Sequence, residues 1–249
     1  MRQITSKLKP RSGFAHVFHL LLTLLLPILI FILVRIDFAQ LGLALIFLSK
    51  WRMFAVRPRH WPANVRANAV DIMVGISLLI FMSHSETASW QLVWAAAYTI
   101  WLFFIKPGSK VLMVSTQAMI AQFCGLIALF LTWGGSPLYV LVLTSWLICY
   151  FTARHFFTSF DEPLARLFAY FWGYFAAALV WLLGHWLLFY GVLAQPALLL
   201  TVLGFGLSGL YYLEESDRLS VLLRRQFIFI MIAIVMVVLV FSDWGDKAL

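Results

Sequence analysis

The chain has 249 residues, of which 63% are hydrophobic, 17% aromatic and only 11% charged, and its mean hydropathy is +0.96. Soluble domains are typically about 45–50% apolar and about 25% charged, so this chain lacks the polar side chains needed to cover a soluble surface. The composition excludes a soluble globule, a disordered chain, a disulfide-framed secreted module and a nucleic-acid-binding domain. It indicates a polytopic membrane protein whose main partner is the lipid bilayer.

The first two apolar runs of the chain differ in how well they fit a bilayer-crossing helix. A bilayer-crossing helix needs about 20 apolar residues, and the run 14–34 satisfies this as an uncleaved first span. The next run, Phe38–Val56, has only eleven residues before Ser49 and Lys50. It forms a full span only if Lys50 and Arg52 extend to the headgroups. A half-crossing, re-entrant segment is the alternative, and it would leave eight spans.

The remaining apolar runs predict seven further spans. The run 164–190 has 27 residues, or about 40 Å of helix, so we expect it to be tilted or to project from the membrane. The fold expected is an all-α bundle of about nine transmembrane helices, forming a single domain over residues 1–249. The seven later spans are predicted at 68–83, 88–105, 111–133, 137–157, 164–190, 196–213 and 226–241.

The net charge of +8 has a topological explanation, because Lys and Arg concentrate in cytoplasmic loops. With nine spans and the N-terminus inside, 16 of the 18 basic residues lie on the inner side, and only Arg35 and Lys247 lie outside. This predicts that the C-terminus is outside and that the protein is a multi-pass protein of a prokaryotic plasma membrane. The basic residues near the inner leaflet would face anionic lipid headgroups.

Small and polar residues recur at helical spacing in three of the predicted spans. Such stripes should face other helices, because an unpaired polar group facing lipid is costly. They predict either hydrogen bonds between helices or a polar cavity at the centre of the bundle. Asp71 is the best candidate carboxylate, either in a structural ion pair or in a proton or cation site. The candidate substrate-binding residues are Asp71, Gln122, Ser145, Thr152 and Ser208.

The cofactor-binding and catalytic motifs of soluble enzymes are absent from the sequence, or they occur within a predicted span. Residues 204–209 spell GFGLSG, which matches the dinucleotide pattern GxGxxG, but they lie within a predicted span rather than between a strand and a helix. We interpret these glycines as sites of close helix packing. There is no P-loop, HExxH or GxSxG motif, and the two cysteines, Cys124 and Cys149, lie in apolar runs. The sequence therefore gives no positive indication of an enzyme.

Charged and aromatic residues leave two further hypotheses open. Arginines on the inner side could hold a phosphate, with His155 or Asp161 transferring a proton. His84 with His185, or the inner histidines, could ligate haem or a metal if they met, although no cofactor is predicted. Tryptophans 146, 172 and 181 lie deep in their spans, where they either pack or line a groove for an apolar ligand. The candidate phosphate or anionic-lipid contacts are Arg57, Arg59, Arg154 and Arg166.

Three functions remain as expectations from the sequence. The first is a small permease-like transporter of a neutral or amphipathic solute, because polar stripes occur with few buried charges. The second is an integral subunit of a membrane complex with partner subunits, because no catalytic signature is present. The alternative is an intramembrane enzyme acting on a lipid-linked or phosphate-bearing amphipathic substrate at the cytoplasmic leaflet.

Overall fold

A computed structural model describes residues 13–185, 189–190 and 193–243 of the chain. This part is built from nine α-helices and one β-hairpin with two residues in each strand. A turn of π-helix, Trp101–Ile105, continues the fourth helix. The helices are α1 Gly13–Arg35, α2 Ala39–Leu48, α3 Trp61–Ser83, α4 Ala88–Ile100, α5 Val111–Trp133, α6 Leu138–Thr158, α7 Ala165–Gly184, α8 Gln195–Glu215 and α9 Val221–Phe241, with strands β1 Phe189–Tyr190 and β2 Leu193–Ala194.

Seven of these helices, α3 to α9, are long and apolar enough to cross a membrane when α4 is counted with its π-helical turn. α1 also has 23 residues, which is about 34 Å of helix. Long apolar helices joined by short connections are the architecture of a multi-pass α-helical membrane protein, as the composition predicts. That the whole chain is a single transmembrane domain stays a prediction.

The second apolar run does not form one continuous helix. α2 ends at Leu48, where Ser49 Oγ donates to the carbonyl of Ile46 at 2.6 Å, and the chain then enters a short 3₁₀ turn, Trp51–Met53. The ten residues of α2 reach about 15 Å, half of a hydrocarbon core of about 30 Å. A continuous helix over Phe38–Val56 is therefore not formed, and the number of spans stays a prediction.

The chain divides into two compact units. The first comprises residues up to 52 together with 78–107, and within its described part α1 packs against both α2 and α4. α1 and α2 form an antiparallel hairpin in which Gly42 lies against Ile30 and Leu79. Tyr98 of α4 and Met82 at the end of α3 are almost fully buried in this unit.

The second unit comprises residues 53–77 and the chain from 108 onward. Its helices α5, α6, α7 and α8 pack in antiparallel succession, and α8 also contacts α5 and α9. The core is formed by apolar residues such as Leu126, Leu141, Val180 and Leu200. Gly206 shows why α8 is rich in glycine: a Cβ there would lie 1.9 Å from the sulfur of Met231 on α9. This close approach supports the packing interpretation of the GxGxxG match.

Three other boundaries differ from the sequence-based prediction, of which the simplest is that α9 begins at Val221 rather than at residue 226. α3 begins at Trp61 rather than at residue 68, because Pro62 is tolerated in the first turn of a helix and the polar residues after it continue the helix. α7 ends at Gly184, so the 27-residue span predicted at 164–190 is not formed. The hairpin of β1 and β2 follows, with Phe189 paired to Ala194, and leads the chain into α8.

Charge is segregated within the second unit. The helices alternate in direction, so the starts of α3, α5, α7 and α9 and the ends of α6 and α8 lie at one end. Every Lys and Arg among the described residues of this unit lies at that end, from Arg57 to Arg225. We refer to it as the basic end. The opposite end carries only Asp243 as a charged residue within the described part.

Candidate functional site

Four helices of the second unit, α5 to α8, enclose a cavity of about 460 Å³, which we call the central cavity. Gln122, the middle residue of α5, marks its deepest level. The other lining residues, such as Thr152 on α6 and Tyr211 on α8, lie between that level and the basic end. The volume falls within the range of about 300–1,000 Å³ that is typical of small-molecule sites.

The floor of the central cavity is organised by the side chain of Gln122, which is only 3% exposed. Its Nε2 donates to the carbonyl of Leu200 at 2.9 Å. Its Oε1 accepts from Trp172 Nε1 at 2.9 Å and lies 3.3 Å from Thr152 Oγ1, whose single hydroxyl proton has a closer acceptor, the carbonyl of Ile148 at 2.9 Å. One amide therefore bonds α5 to α7 and α8 and contacts α6. An amide oxygen has two acceptor sites, and the indole of Trp172 occupies one of them.

Gly204 provides the space for this hydrogen-bond network. A Cβ at position 204 would lie 2.5 Å from Gln122 Nε2 and 3.2 Å from Cζ2 of Trp172. A contact of 2.5 Å is too short for any side chain, so the position requires glycine as long as Gln122 keeps its place. The close packing predicted for Gly204 thus also positions a polar group of the cavity.

The walls of the central cavity are apolar and partly open. α7 contributes Phe168, Phe171, Trp172 and Phe175, which share one helix face because they follow at intervals of three and four. Phe171 is 64% exposed, and Phe175 and Leu207 of α8 are 44% and 48% exposed. Because these residues line the cavity and also reach the outside of the bundle, the cavity opens sideways between α7 and α8, which pack together less extensively than α6 and α7.

Toward the basic end, Tyr211 and Glu162 close the central cavity. The Tyr211 hydroxyl donates to Glu162 Oε2 at 2.5 Å, while Glu162 Oε1 accepts from the backbone N–H of Leu164 at 3.2 Å. The ring of Tyr211 packs edge-on against Phe157 and Phe160, with both centroid distances at 5.1 Å. One carboxylate thus bonds the turn before α7 and also holds Tyr211 near the end of α8.

Ionisable groups are scarce in the central cavity. Among the described residues that line it, Tyr211 is the only one with an ionisable side chain. The polar atoms of its floor bond to one another and to backbone carbonyls. The arrangement is suited to holding an apolar or uncharged group, because the described lining residues include no carboxylate.

Three of the five predicted substrate-binding residues meet at the central cavity: Gln122, Thr152 and Ser208. Ser208 Oγ donates to the carbonyl of Phe205 at 3.0 Å and also contacts the sulfur of Met119 at 3.2 Å. Ser145 is completely buried but does not line the cavity, and its hydroxyl has no hydrogen-bond partner among the described residues. Asp71 is buried on α3 and does not line the cavity either.

The four arginines predicted to contact phosphate all lie at the basic end, outside the central cavity. Arg57 and Arg59 border the short 3₁₀ turn before α3, and Arg59 Nε donates to Nε2 of the neighbouring His60 at 2.9 Å. Arg154 lies on α6, one turn before its end. Arg166 lies in the first turn of α7 with its guanidinium 5.6 Å from the ring centre of Tyr170.

The residues proposed for proton transfer have structural surroundings of their own. His155 Nε2 lies 3.0 Å from Gln117 Oε1, and Gln117 Nε2 donates to the carbonyl of Gly108 at 2.9 Å. Because the amide nitrogen of Gln117 is already a donor, its oxygen faces His155, so the imidazole donates through Nε2. Asp161 is exposed in the turn after α6 with φ 53°, a left-handed conformation that aspartate tolerates in turns.

The histidines near the other ends of the spans bond to their own helices. His84 Nδ1 lies 3.0 Å from the carbonyl of Ile80, and His185 Nδ1 lies 2.7 Å from that of Trp181. In the part of the chain that the structure describes, no three His, Cys, Asp or Glu residues come together as a possible metal site. The haem and metal hypotheses therefore gain no support.

Sequence reasoning missed two features of the site. Trp172 is expected from the sequence to pack or to line a groove, and the sequence gives no indication that its indole N–H bonds Gln122. Glu162 is not singled out by the sequence analysis, which considers its neighbour Asp161. The available signal is that Glu162 lies in the short turn before α7, where a carboxylate accepts hydrogen bonds from nearby backbone N–H groups.

No protein-family model, curated protein or solved structure matches this chain. The geometry of the central cavity therefore carries the functional argument.

Proposed function

We propose that this protein is a permease-like carrier of an uncharged amphipathic molecule of lipid type. The observation that carries the proposal is the central cavity, which is apolar, has a hydrogen-bonded floor at Gln122 and opens sideways between α7 and α8. A substrate that enters from the membrane interior needs such a lateral opening, whereas a water-soluble substrate needs a polar path from one end of the bundle.

The chemistry of the lining defines the substrate class. A charged group would be buried without a counter-ion, which is costly in a low-dielectric site. Gln122 Nε2 uses one of its two N–H groups on the carbonyl of Leu200, so the floor offers the second N–H of the amide to a ligand. An apolar chain bearing a single hydroxyl or carbonyl matches these conditions.

The membrane orientation belongs to the same proposal. By the positive-inside rule the basic end faces the cytoplasm, and the bilayer is the plasma membrane of a prokaryote. This assignment for α3 to α9 does not depend on α2, because only Arg35 and the basic residues before α1 change sides if α2 does not cross. The central cavity then lies in the cytoplasmic half of the membrane and opens into the inner leaflet.

Photolabelling tests the proposal directly. A long-chain alcohol carrying a diazirine is incubated with the purified protein in nanodiscs, irradiated, and its attachment sites are mapped by peptide mass spectrometry. We expect labels to concentrate on the lining segments of α7 and α8. Leu207→Trp narrows the mouth and should reduce this labelling about fivefold. Leu182→Trp, at an equally exposed position of α7 outside the cavity, is the matched control.

Transport is measured with the same probe in liposomes. Transfer between leaflets that exceeds that of empty vesicles, and that Leu207→Trp slows, supports a carrier. Labels spread evenly over all exposed helix faces, with Leu207→Trp unchanged, would contradict the proposal. Labelling of the cavity without transfer would reduce the proposal to lipid binding alone.

A second candidate, an integral subunit of a membrane complex, is favoured by one observation on the outer face of α6 and α7. Trp146, Tyr150, Tyr170 and Tyr174 pack there in a row, with neighbouring ring centroids 4.9–6.3 Å apart. Tyr174 is near the middle of α7 and 62% exposed, where its hydroxyl would face lipid. A partner subunit covering this face would supply hydrogen bonds. Extraction in a mild detergent followed by native mass spectrometry should then recover a discrete protein partner.

The third expectation, an enzyme acting on a phosphate-bearing lipid, is not favoured by the described residues. His155 is bonded to Gln117, and Arg166 lies over Tyr170. Replacing His155 by Ala and Asp161 by Asn should therefore leave complementation of a deletion strain intact.

A further inference from the structure

A second concavity, of about 540 Å³, lies near the basic end between the start of α3 and α6. Four of its eight lining residues are aromatic: Phe54, Trp61, Tyr150 and Phe151. The one charged lining residue is Arg66, one turn into α3. We call this feature the Arg66 pocket. It lies entirely within the second unit and shares no lining residue with the central cavity.

Side-chain bonds to the backbone hold the wall of the Arg66 pocket in place. Trp61 Nε1 donates to the carbonyl of Val56 at 3.0 Å, and Asn64 Nδ2 donates to the carbonyl of Met53 at 3.2 Å. The rings of Phe54 and Trp61 pack edge-to-face with centroids 5.5 Å apart. The segment before α3 is thereby folded back onto the first turns of the helix, which gives the pocket a fixed shape.

The charge of the pocket is uncompensated. None of its lining residues is acidic, and within the ranges that the structure describes no carboxylate forms an ion pair with Arg66. Arg57 and Arg59, which precede and follow the lining residue Pro58, add positive charge to the same rim. A guanidinium beside apolar ring faces binds phosphate well, because it forms two parallel hydrogen bonds with oxygens and is weakly hydrated.

We propose that the Arg66 pocket binds the phosphate of an anionic membrane lipid, with a lipid chain lying along the aromatic wall. The pocket continues onto the outer face of the bundle, because Tyr150 belongs both to the pocket and to the row of rings that includes Trp146. An acyl or isoprenoid chain fits that apolar surface, whereas free phosphate would use only Arg66. Tryptophan and arginine at a helix start are also typical of the level of lipid headgroups. The four arginines predicted from the sequence did not include this one.

Lipid titration followed by native mass spectrometry tests the proposal. Phosphatidylglycerol is added to the detergent-purified full chain and, separately, phosphatidylcholine with the same acyl chains. We expect preferential retention of phosphatidylglycerol, and Arg66→Gln should weaken it about tenfold, as the loss of a hydrogen bond to a charged group does. Arg225→Gln, another exposed arginine at the basic end, is the matched control and should change retention less than twofold.

Two further variants separate charge from shape. Arg66→Lys keeps the charge but loses the paired hydrogen bonds of the guanidinium. Its retention of phosphatidylglycerol should therefore lie between that of the native protein and that of Arg66→Gln. Phe54→Leu removes a wall ring at a half-exposed position and should weaken lipid retention while the thermal midpoint stays nearly unchanged.

The outcomes distinguish the alternatives. Equal losses of phosphatidylglycerol retention in Arg66→Gln and Arg225→Gln would mean that the lipid is attracted to the whole basic end, and this would overturn the proposal. Unchanged retention in Arg66→Gln would overturn it as well. If inorganic phosphate at millimolar concentration displaces the lipid in the native protein, the pocket binds free phosphate and the lipid assignment is wrong. None of these results depends on the central cavity or on transport.

Discussion

The hydroxyl of Tyr211 in the last full turn of α8 donates a hydrogen bond of 2.5 Å to Glu162, in the turn before α7. The same carboxylate accepts from the backbone N–H of Leu164. The contact therefore links two helices that otherwise diverge around the central cavity. Its position at the basic end makes it the closure of the cavity on that side, while the side between α7 and α8 stays open.

Replacing Tyr211 by Phe should test how much this contact stabilises the protein. The phenyl ring keeps the packing against Phe157 and Phe160, so only the hydrogen bond is lost. A bond to a carboxylate contributes about 1.5–3 kcal/mol, but both groups are partly exposed, which reduces the expected loss to about 1 kcal/mol. The thermal midpoint in detergent should fall by about 2–4 °C.

The matched control for that variant is Tyr212→Phe, which removes the neighbouring hydroxyl outside the contact with Glu162. If both variants melt at the same temperature, the contact between Tyr211 and Glu162 is not a stabilising link. Glu162→Gln should cost less than Tyr211→Phe, because the amide oxygen accepts from the N–H of Leu164 while the amide nitrogen donates to the hydroxyl oxygen of Tyr211.

The network at Gln122 predicts a graded series of stabilities. Trp172→Phe removes the donor to the Gln122 oxygen and leaves the bond of Gln122 Nε2 to α8 in place, so it should cost about 1 kcal/mol. Gln122→Leu leaves the indole N–H of Trp172 without a partner and also removes the bond to the carbonyl of Leu200, so it should cost about 2–3 kcal/mol. The free energy of unfolding, measured by denaturant titration in mixed micelles, should fall in this order. Equal costs would show that the amide does not join α5, α7 and α8 energetically.

Gly204→Ala should be more damaging than an alanine at other glycines. The new Cβ would lie 2.5 Å from Gln122 Nε2 and must displace that side chain, whereas at Gly125 the nearest atom is a methyl of Ile148 at 3.2 Å, and at Gly135 nothing lies within 4 Å. We expect Gly204→Ala to cost about 1–3 kcal/mol and to reduce photolabelling of the cavity. Gly125→Ala should cost less than about 1 kcal/mol, and Gly135→Ala should be close to neutral.

Parallel thermal melts of the three alanine variants are the measurement. A Gly204→Ala protein as stable as Gly135→Ala would mean that Gln122 relaxes without loss, and the glycine would then have no role in positioning the amide.

Sequence periodicity predicted most helices because each apolar run is bounded by charges or prolines that the membrane boundary requires. The run from Val111 to Trp133 matches α5 at both ends. Periodicity also predicted that Gln122, Thr152 and Ser208 face other helices, because a polar stripe on an apolar helix must do so. All three residues line the central cavity. It could not show that Trp172 bonds Gln122, because that contact depends on how α5 and α7 are rotated against each other. It failed at α2, where apolar length alone does not show where the helix ends.

The contacts of α2 with α3 lead to the last prediction, which concerns the side of the membrane that Ile36 faces. Gly42, near the start of α2, lies against Leu79 in the last turns of α3, whereas the carbonyl of Met53, after α2, accepts from Asn64 in the first turn of α3. Leu79 and Asn64 are 15 residues apart on one helix, which is about 22 Å, so the segment between Gly42 and Met53 runs along most of α3. We therefore expect this segment to cross the bilayer, with the turn between α1 and α2 on the side away from the cytoplasm and the N-terminus inside.

Single-cysteine labelling tests this arrangement, because the chain has only Cys124 and Cys149 to replace by alanine. Ile36→Cys, at a 54% exposed position, should react with a membrane-impermeant maleimide added to intact cells. Ser136→Cys, at the end opposite the basic end, should behave in the same way, and Asp217→Cys at the basic end should react only after lysis. Protection of Ile36→Cys in intact cells, with both controls as expected, would show that α2 enters the bilayer and returns, and would leave eight spans.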